Sequence, residues 1–339
     1  MVTRVTEKFL QFMVIRITVN IAIKNTWRTY MAEKQRKKKW SVNRWTLLFM
    51  AGMGVVFLLV FNYAPMYGVI LAFKKGDYVI DVQKAIFQSE WVGWANFKKF
   101  LIDPEFKNVV WNTLGLNLLS LLFTFPAPII FALFVNEIRN GKFKKTVQTI
   151  SYFPHFLSWI VFGGIILKII DPQTGILSDL LIGLHLIKEP LNLGTSEHFW
   201  GLMIITALIK GVGWGSVIYV AAIAGIDTAM YEAADIDGAG RWSKMLFITL
   251  PSITPTITVF LILSVSNLLN SGFEQIYVFQ NQVNLDRSEV IDTYVYKYGV
   301  LNKRYSYTTA IGLLKSVISL ILLSSANFIS KKLTGKGIY

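Results

Sequence analysis

The residues of this chain best suited to chemistry are amides and a lone cation, not nucleophiles. Asn267 and Asn270 stand three apart at the end of an apolar stretch, with Ser264 and Ser266 just before them. Residues three apart share one helical face, so two amides there can donate to and accept from a row of hydroxyls. Polar groups at membrane depth are costly and face a cavity or a bundle interior. Two roles therefore fit the pair: contact with a hydroxyl-rich cargo, or hydrogen bonds between helices. Upstream, Lys210 is followed by Gly211, Gly213, Trp214 and Gly215. Such glycines invite close helix packing or a local break, and broken helices often line sites. Trp214 suits stacking on a ligand ring, or plain packing. Lys210 suits an anionic ligand, snorkelling, or an acid on a second subunit. Phe273, Glu274, Gln275 and Tyr277 follow the amides and could meet a ligand or a partner protein. Lys168 and Lys315 sit near the ends of apolar stretches, where snorkelling is expected.

Covalent chemistry is poorly provided for. There is no cysteine, which excludes disulfides, thiolate metal sites and catalytic thiols. The three histidines, His155, His185 and His198, lack the i, i+4 spacing of a helical metal pair. In the stretches 74–108, 171–198 and 271–307, acids such as Asp77, Glu90, Asp103, Asp171, Asp286 and Asp292 are scattered, with no D-x-D pair among them. A membrane-embedded glycan-processing enzyme would need such a cluster. A proton-coupled transporter would need more acids within its spans. No G-x-x-x-x-G-K-S/T phosphate loop occurs. The glycine–lysine strings at 141–144 and 335–337 do not fit it.

The elements that must position these residues are membrane helices. Hydrophobic residues make up 53% of the chain and charged residues 16%, against about a quarter charged in soluble domains. Six apolar segments approach the roughly 20 residues of a membrane span: 45–73, 109–135, 147–170, 199–224, 252–270 and 308–329. Trp40, Trp45, Trp111, Trp200, Tyr305 and Tyr307 lie at segment ends, where interfacial belts form. The expected fold is an all-α membrane protein with six transmembrane helices over 45–330, a basic N-terminal segment over 1–44 and a short tail over 331–339. Residues 9–30 read as a basic amphipathic helix on the inner leaflet, or as a basic tail, and not as a cleaved signal peptide.

Charge orients the spans. Segments 1–44, 136–146, 225–251 and 330–339 carry 20 Lys and Arg against 7 acids. The loops 74–108, 171–198 and 271–307 carry 11 against 13. The positive-inside rule then places both termini and the loop 225–251 in the cytoplasm. The net charge of +14 is a topology signal and calls for no nucleic-acid partner.

That loop carries the most specific string in the chain. Asp227 and Thr228 can cap a short helix, Glu232 lies near its positive end, and Ala229, Ala233 and Ala234 leave one face small. Gly238 and Gly240 end it, and Pro251 enters the next span. Such a helix suits docking into a partner's cleft. The pattern Tyr231-Glu232-Ala233-Ala234, then Asp237-Gly238, Arg241 and Leu250-Pro251 resembles the ATPase-gripping loop of importer-type ABC permeases. Asn62-Tyr63-Ala64-Pro65-Met66-Tyr67-Gly68, Ala72-Phe73-Lys74 and Trp91-Val92-Gly93-Trp94-Ala95-Asn96-Phe97 resemble motifs of the polysaccharide branch of carbohydrate permeases. Asn112-Thr113 and Tyr152-Phe153-Pro154 also fit, and the likeness covers roughly residues 40–335.

The resemblance implies a non-catalytic half-channel in a bacterial plasma membrane. It would pair with a second, related permease, two cytoplasmic ATPase subunits and an extracellular or periplasmic sugar-binding protein. ATP and Mg would be bound by the ATPases, with no cofactor in this chain. Tyr231, Glu232, Ala233, Ala234, Asp237, Gly238, Arg241, Leu250 and Pro251 would couple to the ATPase. Related maltose-type permeases place sugar-contacting asparagines at similar spacing, which points to Asn267 and Asn270. Lys210, Trp214, Phe273, Gln275 and Tyr277 complete the candidate pathway. The same fold carrying amino acids or peptides is the alternative.

Overall fold

The computed structural model describes residues 42–77, 81–335 and 337. The basic segment expected over 1–44 lies almost wholly outside the described residues. These fall into two units, one ending at Tyr67 and the other beginning at Gly68. The described part of the first unit is helical: α1 (Val42–Leu58), a π-turn Leu59–Tyr63 and a short piece Ala64–Met66. The π-turn precedes Pro65. Proline has no N–H to give, and its ring crowds the carbonyl four residues back. A wider turn, in which Ala64 N donates to Leu59 O, accommodates it.

In the second unit the long helices are α2 (Phe106–Phe123), α3 (Pro126–Asn136), α4 (Gly141–Tyr152), α5 (Trp159–Ile169) and α6 (Ser196–Ala224). They are followed by α7 (Thr228–Ile236), α8 (Arg241–Lys244), a π-turn Met245–Thr249 and α9 (Leu250–Ser266). Short helices α10 (Phe273–Phe279) and α11 (Ile291–Val295) lead to α12 (Tyr305–Thr334). The second π-turn stands before Pro251 as the first stands before Pro65, with Leu250 N donating to Met245 O. Among the described residues there is no β-strand, only one isolated bridge between Lys74 and Trp91.

Five helices among the described residues are long and apolar enough to cross a membrane, and a bent pair raises the number to six. The five are Trp45–Phe73, Phe106–Asn136, Ser196–Ala224, Arg241–Ser266 and Tyr305–Lys332. Two expectations change. The third segment, 147–170, is not one straight helix: Gly141–Phe156 and Trp159–Ile169 meet at 102°. Pro154 sits in a 3-10 turn, Phe153–Phe156. Ser158 then caps a new helix by accepting from Val161 N at 3.2 Å. The fifth segment, expected at 252–270, is helical from Arg241 but only to Ser266.

The free carbonyls at the bend find their donor on α6. Lys210 Nζ donates to Pro154 O at 3.1 Å, His155 O at 2.9 Å and Leu157 O. It also lies 5.3 Å from the Trp159 ring centroid. This answers the sequence question about the glycines around it. The helix α6 runs unbroken through them, and Gly213 and Gly215 form a packing seam while Gly211 faces open space. A Cβ on Gly213 would stand 2.0 Å from Ser151 O, and one on Gly215 would stand 3.0 Å from Pro128 Cγ. The break lies across the seam, in the segment that α6 supports.

The three largest of five apolar clusters among the described residues join helices of the unit. Leu116, Phe199, Met203, Ile276 and Phe279 join α2, α6 and α10. Phe100, Val109, Tyr294, Tyr307 and Ile311 join α2, α11 and α12. Ile129, Leu133, Tyr219, Met245 and Ile253 join α3, α6 and α9 beside the loop. Tyr294 Oη donates to Asp103 Oδ2 at 3.0 Å and pairs with Tyr307 Oη at 2.8 Å. Burial first, then these neighbours, push the Tyr294 phenol far above its ordinary value, so it stays a neutral donor.

Candidate functional site

Two sites emerge, an exposed loop and a polar groove. In the loop, Asp227 caps α7 by accepting from Ala229 N at 3.0 Å. The helix ends at Gly238, whose φ of +75 a side chain would strain. Gly238 N donates to Asp235 O and Ala239 N to Ala234 O, the two bonds of a Schellman end. Both ends are bolted down. Tyr231 Oη meets Thr249 Oγ1 at 2.8 Å, and Lys244 Nζ meets Asp235 Oδ1 at 2.5 Å. Arg241 bonds Glu137 twice at the end of α3: to its carbonyl at 2.9 Å and to its carboxylate at 3.3 Å. Between these anchors Glu232, Ala233 and Asp237 are exposed, and Ile236 is 88% exposed. No hydrogen bond or ion pair reaches the Glu232 side chain among the described residues. A short helix thus exposes the acids Glu232 and Asp237 beside the apolar Met230 and Ile236, a patch suited to contact with another protein.

The groove has a volume of about 790 Å³ and lies between α2, α3, α6 and α9, within the range typical of ligand sites. Its polar wall is Asn117 and Ser120 on α2 and Thr124 at the C-cap of α2, together with Ser264, Asn267 and Asn270. Trp214, Tyr219, Phe125 and Phe260 supply ring faces. None of its lining side chains is charged. It therefore offers amides, hydroxyls and rings, the groups that bind polyols by hydrogen bonding and stacking.

The sequence-derived candidates divide. Trp214, Asn267 and Asn270 do converge on the groove. The asparagines do so by a different route from the expected helical face. Asn267 is the C-cap of α9, and Asn270 lies in the tight turn beyond it. Side chains three apart eclipse in such a turn, and Asn270 Nδ2 donates to Asn267 Oδ1 at 2.9 Å. Asn267 Nδ2 donates to Leu263 O, so the bonds these amides donate are local rather than between helices. Trp214 is 45% exposed and stacks on His155 at 4.7 Å.

The other pathway candidates lie off the groove. Lys210 is 7% exposed, and its amine is held by the three carbonyls of the bend. Gln275 is buried and donates to Met203 O and Thr206 Oγ1 on α6. Phe273 and Tyr277 form an aromatic triangle with Tyr296, with centroids 5.0 to 5.3 Å apart. Lys315 does not snorkel, because it makes an ion pair with Asp292. Lys168 is exposed. Asn117, Ser120 and Thr124 went unread in the sequence. Their i, i+3, i+7 spacing is the rule that picked out the asparagine pair, and it was available.

A family model described as "binding-protein-dependent transport system inner membrane component" matches residues 106–335. Protein LplB of Bacillus subtilis (strain 168) is 41% identical over 298 residues, 88% of this chain and 92% of LplB. The polygalacturonan/rhamnogalacturonan transport system permease protein YteP of the same organism is 40% identical over 288 residues, 84% of this chain and 88% of YteP. Among solved structures, a chain of a bacterial ABC transporter involved in the import of the acidic polysaccharide alginate superimposes with a TM-score of 0.78 at 35% identity. It covers 86% of this chain and 97% of that one. A chain of a bacterial alginate ABC transporter in complex with an alginate pentasaccharide-bound periplasmic protein gives the same TM-score at 34% identity.

Proposed function

We propose, for a chain that belongs to the family of binding-protein-dependent transport system inner membrane components, the role of permease subunit in an ABC importer of oligosaccharides or polysaccharide fragments. The loop 225–251 docks a cytoplasmic ATPase subunit, which binds the ATP and Mg. A second, related permease completes the channel with its own ATPase. A binding protein delivers the sugar from the far side. The bent pair α4 and α5 counts as the third of six spans, and both termini are cytoplasmic.

One observation carries this reading. The helix α7 is tied to the segment before α9 through Tyr231 and Asp235, yet Glu232 on its exposed face has no hydrogen-bond or ion-pair partner among the described residues. A push on that face passes through Tyr231 and Thr249 into the π-turn, and from there along α9 to the groove. The uncharged groove supports sugar as the cargo, because hydroxyls are what its amides and rings recognise. The named relatives and the alginate transporters support the same cargo class.

The test is ATPase stimulation of the reconstituted complex by neutral and acidic oligosaccharides, each loaded on its binding protein. Stimulation by one or more sugars is expected. Stimulation by an amino acid or peptide, with none by any glycan, would overturn the cargo.

A further inference from the structure

The polar turn of the groove is held from behind by a chain of contacts. Asn117 Nδ2 donates to Ser271 Oγ at 2.8 Å. Ser271 N donates to Asp292 Oδ2 at 2.9 Å. The other oxygen of Asp292 takes Lys315 Nζ. Ser271 is 7% exposed, and the side chains of Lys315 and Asp292 are 15% and 22% exposed. The chain ties together α2, the turn after α9, α11 and α12.

A poorly solvated ion pair is weak evidence for stability in its own right. Charged groups at such depth more often serve a function. Here the task is geometric. The residues from Asn267 to Ser271 have left their helix, and the next residue, Gly272, takes φ +69. Leu269 packs into the core beneath them. The Asp292 carboxylate then fixes the residue at the far end of the turn, with Lys315 fixing the carboxylate. Asn117 holds the same serine from the groove side.

We propose that Asp292, Lys315 and Ser271 are positioning residues for the cargo. They touch no sugar, and they set where Asn267 and Asn270 stand by anchoring the end of their turn. The proposal rests on the reading that these asparagines face an oligosaccharide.

The test uses the complete importer in proteoliposomes. An oligogalacturonide, an alginate oligosaccharide and an arabino-oligosaccharide are tried on the wild type, each with its binding protein, and a stimulating one is carried forward. If none stimulates, the cargo reading and this proposal fall together. The double variant D292N/K315M keeps an oxygen acceptor for Ser271 N without the charges. Its half-saturating sugar concentration is expected within about twofold of wild type. D292L/K315M removes the acceptor, and its half-saturation is expected to rise about tenfold with the maximal ATPase rate retained. An unchanged value, or an equal rise in both variants, overturns the proposal. Should D292L/K315M fail to assemble, the smaller D292A/K315M, which also removes the acceptor for Ser271 N, decides, with a rise of about threefold expected and no change overturning the proposal. N267A runs alongside. If N267A is silent, the cargo reading of the turn fails. If N267A raises half-saturation while D292L/K315M does not, only the anchoring role fails.

Discussion

The loop at 225–251 and the groove that ends at Asn270 sit at opposite ends of α9 and are built in opposite ways. The loop folds mostly from its own neighbours: a cap at Asp227, a Schellman end at Gly238, and pairs between residues 9 and 18 apart in sequence, with Arg241 reaching Glu137 as a distant anchor. Glu232, Ala233 and Asp237 then face outward, and among the described residues Glu232 has no partner. The groove is drawn from four helices, with Asn117 and Ser271 154 positions apart. The side chains at its polar turn are already engaged with one another. A surface waiting for another protein can be local and open. A surface for a small polar cargo has to be assembled from afar and held still.

The sharpest way to break this contrast is at the loop. Glu232→Lys or Gly238→Asp should abolish uptake and co-purification of the ATPase, with normal amounts of permease in the membrane by immunoblot. Retained uptake would remove the docking role. Next comes the wall behind the groove. Lys210→Met strips three carbonyls of their donor and should destabilise the subunit by roughly 3 kcal/mol. Thermal unfolding of the detergent-solubilised complex reads this. The surviving fraction should keep its half-saturation for sugar, because Lys210 faces the bend and not the groove. A raised half-saturation alone would return Lys210 to the pathway.

Asn267→Ala should raise half-saturation about tenfold, worth one charge-free hydrogen bond or slightly more, with assembly intact by size-exclusion chromatography. Loss of assembly instead would make it a packing residue. The smallest effect belongs to Arg241→Ala. Its ion pair with Glu137 is half exposed, and such pairs contribute about 0–1 kcal/mol. Sugar-stimulated ATPase should fall by no more than about fivefold. Complete loss would mean that the loop depends on this anchor alone.

The same contrast explains what could be read from the amino acids. The loop helix, its cap and its terminating glycine depend on neighbours in sequence, so the string itself carried them. Likewise Phe73-Lys74 and Trp91-Val92 looked like two separate motifs, and they meet: the Phe73 and Trp91 rings stack at 5.6 Å, and Asn96 holds the carbonyls of Ala72 and Lys74. The bend in the third segment was hidden, because the amine that stabilises it lies 53 to 56 residues downstream of the carbonyls it caps. The early end of α9 was hidden for a similar reason. Leu268 and Leu269 continue the apolar run, and only the tertiary contacts of Ser271 show that the backbone has already turned.

The wide turn at Met245–Thr249 has a consequence for the phase of α9. Each residue of an α-helix advances the side-chain direction by about 100°, and a π-turn inserts one residue beyond the α count. The wide turn takes up the rotation of that extra residue. If the same residues closed into regular α, everything downstream would turn by about 100° and Phe260 and Ser264 would leave the groove, whereas deleting one residue as the turn closes would keep them in place. The docking segment and the groove are thus kept in angular register by a turn that absorbs one surplus amino acid between them.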